Sequence, residues 1–190
     1  GQLQEPSGIA VAPNGTVYVA DGANHRVQAF TAVGSYLGKW GSAGTSQGQF
    51  GLPYGVAVSP DGGTIYVSDA ESCRIQRFDP AGAFLGEWGG PGTGSGQFNG
   101  PVSVATAPGG YVYVVDMLNH RIQRFDSTGT YVGQWGSAGN HEGQFTHPYG
   151  LAVASNGDLY VADTNNHRIQ RFSASGVYLG AWGSYGTGNG

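Results

Sequence analysis

The sequence has few charged residues, a single cysteine and no long hydrophobic run. Only 11% of its 190 residues are charged, and 8 Lys plus Arg stand against 12 Asp plus Glu. A nucleic-acid-binding surface needs a basic patch, so this balance argues against that class. The lone Cys73 excludes an intrachain disulfide framework. No segment approaches the run of about 18 apolar residues that marks a transmembrane helix, so we expect no membrane span.

Glycine and apolar residues, in contrast, are plentiful. Glycine accounts for 36 of the 190 residues, and 39% of the chain is hydrophobic. The glycines follow no three-residue period, which excludes a collagen-like chain, and the apolar fraction is too high for a disordered one. The composition therefore indicates a globular protein that is rich in tight turns.

The same residues recur along the whole chain. The four tryptophans are 48, 47 and 47 residues apart, and one aspartate per interval keeps the same spacing. The two sets are Trp40, Trp88, Trp135, Trp182 and Asp21, Asp69, Asp116, Asp163. A fixed period of this size is the signature of a repeat architecture. We therefore expect one domain, residues 1–190, built from repeats 1–47, 48–95, 96–142 and 143–189.

Within each repeat, apolar and polar residues alternate with a period of two, which is typical of strands. In the first repeat the candidate strands are residues 8–11, 16–20, 26–30 and 35–40. Short turns rich in Gly, Asn and Asp separate them. Each repeat is therefore predicted to fold as a four-stranded antiparallel meander.

Both faces of such a sheet carry apolar residues. From the alternation, we assign Ile9, Val11, Val17, Val19, Val27 and Leu37 to an aliphatic face, and Tyr18, Gln28, Phe30, Tyr36 and Trp40 to an aromatic one. A sheet that is apolar on both faces must be covered on both. We expect the aliphatic face of one sheet to pack against the aromatic face of the next, as in radially stacked blades.

Residues 143–183 carry a specific resemblance. They read Gly-Gln-Phe, Pro-Tyr-Gly-Leu-Ala-Val, Asn-Gly-Asp-Leu-Tyr-Val-Ala-Asp-Thr-Asn-Asn-His-Arg-Ile-Gln-Arg-Phe and Gly-Val-Tyr-Leu-Gly-Ala-Trp-Gly in order. This unit resembles the NHL repeat, which is named for an Asn-His-Leu signature. Asn24-His25-Arg26, Asn119-His120-Arg121 and Asn166-His167-Arg168 match the signature region, whereas the second repeat has Ser72-Cys73-Arg74. The resemblance implies an all-β fold, a β-propeller with one four-stranded antiparallel blade per repeat.

The resemblance also narrows the function. Similar propellers serve as RNA-binding domains of tripartite-motif proteins, as extracellular ligand-sensing domains of receptor kinases and as peptide-amidating lyases. All eight cations here lie at repeated positions or beside them, which leaves none for an RNA-specific cluster. No nucleophile–base pair or carboxylate pair is visible. We expect a non-catalytic binding or structural scaffold without a cofactor; a lyase or hydrolase and an RNA-binding domain are the alternatives.

Four metal-competent side chains share one position of the repeat: His25, Cys73, His120 and His167. Zinc needs its donors within about 2.3 Å of one point. Equivalent turns of stacked blades should instead lie on a ring with spacings of about 10 Å. We therefore predict that these residues brace a repeated turn and bind no metal.

The repeated aspartates begin the same turn, and an arginine follows each of them five residues later. A carboxylate at this point can accept backbone N–H bonds or pair with that arginine. We interpret the four aspartates as structural rather than catalytic.

A binding site is expected at one mouth of the central channel. By the resemblance, the innermost strand of each blade begins after a recurrent proline. This places six residues nearest the mouth: Glu5, Ser7, Tyr54, Val102, His147 and Tyr149. We predict that they bind a small ligand or a protein partner. The weakly charged surface suits an extracellular or cell-surface location, and Asn14-Gly15-Thr16 is a possible glycosylation sequon at Asn14.

The closure of the ring stays open at this point. Members of the family usually close with about six blades, within the range of roughly four to eight that propellers use. The outer faces of the first and last blades can be covered in three ways: by closure within one chain, by head-to-tail association of chains, or by further blades. A four-bladed ring crowds Tyr54 and Tyr149 near the axis. We therefore expect that these 190 residues alone do not form a closed monomer.

Overall fold

The computed structural model describes residues 1–188 and contains four sheets, each of four antiparallel strands. Within a sheet the strands pair in chain order, so each repeat forms one blade and the predicted all-β meanders are confirmed. Single-turn 3-10 helices at Gly22–Asn24, Met117–Asn119 and Thr164–Asn166 follow the second strand of blades 1, 3 and 4. None of the helices within residues 1–188 is long and apolar enough to cross a membrane.

The strands are numbered in chain order, from the innermost to the outermost strand of each blade. Blade 1 contains β1 Pro6–Val11, β2 Val17–Asp21, β3 Arg26–Phe30 and β4 Tyr36–Trp40; blade 2 contains β5 Pro53–Val58, β6 Ile65–Asp69, β7 Arg74–Phe78 and β8 Phe84–Gly89; blade 3 contains β9 Pro101–Thr106, β10 Val112–Asp116, β11 Arg121–Phe125 and β12 Tyr131–Trp135; blade 4 contains β13 Pro148–Val153, β14 Leu159–Asp163, β15 Arg168–Phe172 and β16 Tyr178–Trp182.

The strand register divides each blade into two faces, and this division differs in part from the predicted one. The forward face, which packs against the following blade, carries Ala10, Tyr18, Ala20, Val27, Ala29 and Trp40 in blade 1; the rear face carries Ile9, Val11, Val17, Val19, Gln28, Phe30 and Tyr36. The prediction was therefore wrong for Val27, Gln28, Phe30 and Tyr36. Asp21 pairs with Arg26 across a four-residue turn, and simple alternation does not show which residues pair across such a turn.

Three buried clusters join consecutive blades, blade 1 with 2, blade 2 with 3 and blade 3 with 4. In the first cluster, Tyr18 and Trp40 on the forward face of blade 1 pack against Ile65, Val67 and Phe78 on the rear face of blade 2. At these interfaces the rear face contributes a phenylalanine, Phe78, Phe125 or Phe172, beside its aliphatic residues. The expectation that consecutive sheets pack through unlike faces is confirmed, but the expectation that the rear face is purely aliphatic was wrong. Burial of apolar area on both faces of every inner blade supplies the main stabilisation.

Each tryptophan lies near the end of its outermost strand. Trp40, Trp88 and Trp135 are mostly buried. Their rings rest on Gly82, Gly129 and Gly176 of the next blade, where an added Cβ would lie 2.8, 2.5 and 2.6 Å from a ring atom. The expected packing of one sheet on the next therefore covers these three tryptophans. Trp182 is instead 52% exposed, because no following blade covers it among the described residues.

The two ends of the row of blades are uncovered. Ile9 and Val11 on the rear face of blade 1 are 68% and 64% exposed, whereas the equivalent Val56 of blade 2 is 6% exposed. Within residues 1–188, no buried cluster joins blade 4 to blade 1. The blades therefore form an arc that presents a rear face at one end and a forward face at the other.

Candidate functional site

The six residues predicted at the channel mouth belong to the innermost strands or directly precede them. Ser7, Tyr54, Val102 and Tyr149 are the second residues of β1, β5, β9 and β13. Glu5 and His147 immediately precede β1 and β13, and both have a φ of 51°. The left-handed backbone at these two positions is uncommon for residues other than glycine. This conformation occurs directly before the innermost strands of blades 1 and 4.

Tyr54 and Tyr149 meet at the mouth although they belong to blades 2 and 4. Their hydroxyl groups are in hydrogen-bonding contact, and the rings pack edge to face with centroids 5.6 Å apart. Burial, followed by the hydrogen bond with Tyr149, raises the pKa of Tyr54 to about 12. Tyr54 therefore stays protonated at neutral pH and keeps a hydroxyl hydrogen that it can donate.

A cleft of about 370 Å³ lies beside this pair. It is lined by Glu5, Ser7 and Tyr54, with the apolar Leu52 on one side. The Ser7 hydroxyl donates a hydrogen bond to the Tyr54 carbonyl oxygen at 2.8 Å, which fixes β1 against β5. The exposed Glu5 carboxylate is the acceptor that remains for a ligand. The structure thus brings together three of the six predicted residues in one cleft and places Tyr149 against one of them.

Val102 and His147 are held elsewhere. The Val102 side chain is 5% exposed and belongs to the core between blades 3 and 4, while its carbonyl oxygen accepts a hydrogen bond from Ser68. The His147 backbone N–H donates to Nδ1 of His120 at 3.2 Å, and the two rings pack edge to face at 5.0 Å. Asn165 bonds the Nδ1 atom of His147.

The repeat pattern does not predict this histidine pair. His120 and His147 occupy different positions of their repeats, so the equivalence of repeats does not bring them together. Burial, followed by the nearby His147, lowers the pKa of His120, although Asp163 acts in the opposite direction. His120 therefore favours the neutral form, in which Nδ1 can accept the backbone hydrogen bond.

The four residues at the repeated His and Cys position lie at the end of the turn after the second strand. His25, Cys73, His120 and His167 have φ values of 52°, 53°, 53° and 55°. Each belongs to its own blade, and His25 places Nδ1 2.6 Å from the carbonyl oxygen of Gly51 where blade 2 begins. Within residues 1–188, no three His, Cys, Asp or Glu side chains are grouped so that they could hold a metal ion.

The repeated aspartates are the centres of buried hydrogen-bond networks. Asp116 is fully buried and accepts hydrogen bonds from the Asn99 backbone N–H at 2.7 Å, Asn119 at 2.9 Å, Arg121 at 2.7 Å and Gln123 at 3.1 Å. The same ion pair recurs in the other blades as Asp21–Arg26, Asp69–Arg74 and Asp163–Arg168. The predicted pairing of each aspartate with the arginine five residues later is confirmed.

These networks fasten the glycine-rich link that precedes each blade. Arg121 also donates to the carbonyl oxygens of Thr93, Gly94 and Gln97 in the link between blades 2 and 3. In blade 1, burial alone would raise the pKa of Asp21, but hydrogen bonds from the Gln4 backbone, Arg26 and neighbouring amides outweigh it and lower that pKa. Four of the eight cations are therefore engaged in holding the fold.

Asn14 lies in the exposed turn between β1 and β2. Its side-chain oxygen accepts a hydrogen bond from the Thr16 backbone N–H at 3.0 Å. The sequon is thus at the surface, and the asparagine also stabilises its own turn.

Comparison with known proteins agrees with this architecture. Residues 3–30, 50–78 and 145–172 match the NHL repeat family. A 58-residue segment, 30% of this chain, is 41% identical to part of Protein brain tumor from Drosophila melanogaster, of which it covers 6%. The rest of that relative lies outside the match.

Solved structures are similar to almost the whole chain. The match to Kuenenia stuttgartiensis hydrazine synthase has a TM-score of 0.72 at 20% identity and covers 95% of this chain and 49% of the other. The match to virginiamycin B lyase from Staphylococcus aureus has a TM-score of 0.70 at 16% identity and covers 94% and 55%. This chain thus spans about half of each, and identities this low show the fold alone. Three of the four repeats thus match the NHL repeat family, and all four fold as blades of a β-propeller.

Proposed function

We propose that the chain is a non-catalytic binding scaffold that works outside the cell or at its surface. The observation that carries the proposal is the cleft beside the Tyr54–Tyr149 pair, because it combines an apolar wall with convergent polar groups. The buried charges elsewhere serve the fold. In this proposal the cleft holds a small ligand or a segment of a protein partner, and the blades keep it in place.

The chemistry of the cleft favours a ligand that carries hydrogen-bond donors and no negative charge. Glu5 supplies an acceptor, and Tyr54 and Tyr149 supply hydroxyl groups and aromatic edges. Peptide N–H groups and sugar hydroxyls both fit these partners. Arg26, the blade 1 arginine in the repeated ion pairs, already bonds the Asp21 carboxylate, so it is not free to bind an anionic ligand.

The proposal includes self-association through the terminal blades. The exposed rear face of blade 1 and forward face of blade 4 carry the residue types that pack together at the three internal interfaces. The low charge of the chain opposes such contacts only weakly.

Nuclear magnetic resonance can test the binding role. The isotope-labelled chain is mixed with panels of blocked dipeptides and neutral sugars. We expect at least one probe to shift the signals of Glu5, Ser7 and Tyr54, and Glu5→Gln to weaken its binding severalfold. The matched control is Glu71→Gln, at an exposed glutamate outside the cleft, which should leave binding unchanged. Chemical conversion of a probe would contradict the non-catalytic role, and the absence of any response in the cleft would contradict the binding site.

A further inference from the structure

The two uncovered end faces carry complementary positions that lack a partner among residues 1–188. At each internal interface a tryptophan lies on a glycine of the following blade, in the turn between its third and fourth strands. The tryptophan without a glycine is Trp182, which is 52% exposed. The glycine without a tryptophan is Gly34 of blade 1, the equivalent of Gly82, and nothing lies within 4 Å of a Cβ built on it.

A second pair of positions is unmatched in the same way. Phe50 is fully buried between blades 1 and 2, and its ring covers Gly41, where an added Cβ would lie 2.7 Å from the ring. Leu3 is the equivalent of Phe50 one repeat earlier and is 41% exposed. Gly183 is the equivalent of Gly41, and no apolar ring covers it.

The strands of the two end faces are complementary as well. Tyr160 and Ile169 on the forward face of blade 4 are only half-buried, whereas the equivalent Tyr113 and Ile122 of blade 3 are fully buried. On the rear face of blade 1, Ile9 and Val11 are exposed where blade 2 buries Val56. Each end therefore lacks what the other end presents, and the four described blades do not cover both faces.

We infer that the partner of this surface is a second copy of the chain, and that two copies close head to tail into one ring of eight blades. The inference rests on the self-association part of the proposed function and not on ligand binding. Two copies give eight blades, the upper end of the usual range, whereas three would give twelve. Each copy contributes one forward and one rear end face, so the two junctions are identical and a twofold axis relates them. Trp182 of each copy then lies on Gly34 of the other, and Leu3 covers Gly183.

The channel mouth becomes complete only in this assembly. Within one chain, Ser7 of blade 1 bonds the Tyr54 carbonyl of blade 2 because the innermost strands of consecutive blades are adjacent. The same relation at the junction places Tyr149 of one copy beside Ser7 of the other. The second copy thus supplies a missing wall of the cleft that contains Glu5.

The test measures particle mass by light scattering. We expect two copies, twice 19.6 kDa, for the unchanged chain. Ile9→Lys on the rear face and Trp182→Lys on the forward face should each halve this mass, because both place a charge in an apolar interface. The matched control is Leu85→Lys, at a 45% exposed leucine of the outermost strand of blade 2, which should still form two copies. Circular dichroism confirms that each variant folds.

Mixing the two interface variants tests the head-to-tail arrangement itself. Each variant keeps one intact end, so an equimolar mixture should recover the mass of two copies through a single junction. A contact between two identical faces would instead leave one of the two variants assembled on its own. The inference is overturned by a monomeric unchanged chain, by three or more copies, by an interface variant that stays assembled, or by a mixture that stays monomeric. Probe binding to a monomeric chain would separate this failure from failure of the binding role.

Discussion

Tyr54 and Tyr149 lie 95 residues apart in the chain, yet their hydroxyl groups touch at the mouth of the channel. The contact joins the innermost strands of blades 2 and 4, with β9 of blade 3 between them. The row of blades is curved strongly enough that a tyrosine of blade 2 contacts a tyrosine of blade 4 on its inner side. The pair also fixes one side of the candidate binding cleft.

The Tyr54 hydroxyl should titrate near pH 12 rather than near its ordinary value of 10.0. Tyr149→Phe removes the hydrogen bond and should lower this pKa, but not to 10.0, because burial is the larger cause. Ring signals in nuclear magnetic resonance across an alkaline titration measure it. Tyr36→Phe, at a 46% exposed tyrosine, is the control and should not alter the Tyr54 titration. Titration of Tyr54 near pH 10 in the unchanged protein would exclude the described contact.

Trp88→Ala should lower the free energy of unfolding by about 3 kcal/mol or more, because it opens a cavity between blades 2 and 3. Trp182→Ala removes the same side chain from an uncovered face and should cost less than about 1 kcal/mol. Urea denaturation measures both, with Ile9→Lys present in each chain to prevent association. A cost below about 0.5 kcal/mol for Trp88→Ala would contradict the packing described for the three covered tryptophans.

Gly129→Ala and Gly34→Ala form a matched pair. Both glycines have positive φ, 97° and 83°, so an alanine at either position has a strained backbone, at a cost of roughly 1–2 kcal/mol. At Gly129 the new Cβ would also lie 2.5 Å from the Trp88 ring, whereas Gly34 has open space. We expect Gly129→Ala to be more destabilising by about 1–3 kcal/mol in urea denaturation of the non-associating Ile9→Lys chain. Equal costs would show that the tryptophan does not lie on this glycine.

Asp116→Asn should destabilise the chain by about 3 kcal/mol, because it leaves the Arg121 guanidinium buried without its counter-charge. The control is Asp61→Asn, in an exposed turn, which should change the free energy of unfolding by less than about 0.5 kcal/mol. Thermal and urea denaturation provide the two values. A similar small effect for both variants would mean that the repeated ion pair does not hold the fold.

His120 should make the protein less stable as the pH falls. Its pKa in the folded chain lies below the ordinary value of 6.5, so between the two values the unfolded chain binds more protons. The stabilisation is therefore present above about pH 6.5 and is lost as the pH decreases through the lowered pKa. The urea midpoint is measured at pH 7.5 and pH 5.5, about one unit above and below the ordinary pKa. The difference between the two midpoints should be smaller in His120→Asn than in the unchanged protein, because asparagine keeps the left-handed backbone without titrating. His141→Asn, at an exposed histidine, is the control. An unchanged difference in His120→Asn would contradict this role.

The site was harder to predict than the blades. Glu5, Ser7 and Tyr54 do share a cleft, since equivalent positions of consecutive innermost strands are adjacent. Val102 has the same repeat position, but an apolar side chain there turns into the core instead of the cleft. His147 contacts His120 through a link between two blades, and a comparison of equivalent positions cannot detect that contact.

The sequence alone determined the four blades, their strand order and the structural role of the aspartates. These features depend on local alternation, on turn residues and on a 47- or 48-residue period, all of which are visible in one dimension. Only the tertiary structure decided the face on which Val27 and Phe30 lie, because strand register across a turn depends on hydrogen-bond pairing between strands. It alone also separated Trp182 from Trp40, since burial depends on whether another sheet covers a side chain, and identical repeats differ in this respect only by their place in the arc.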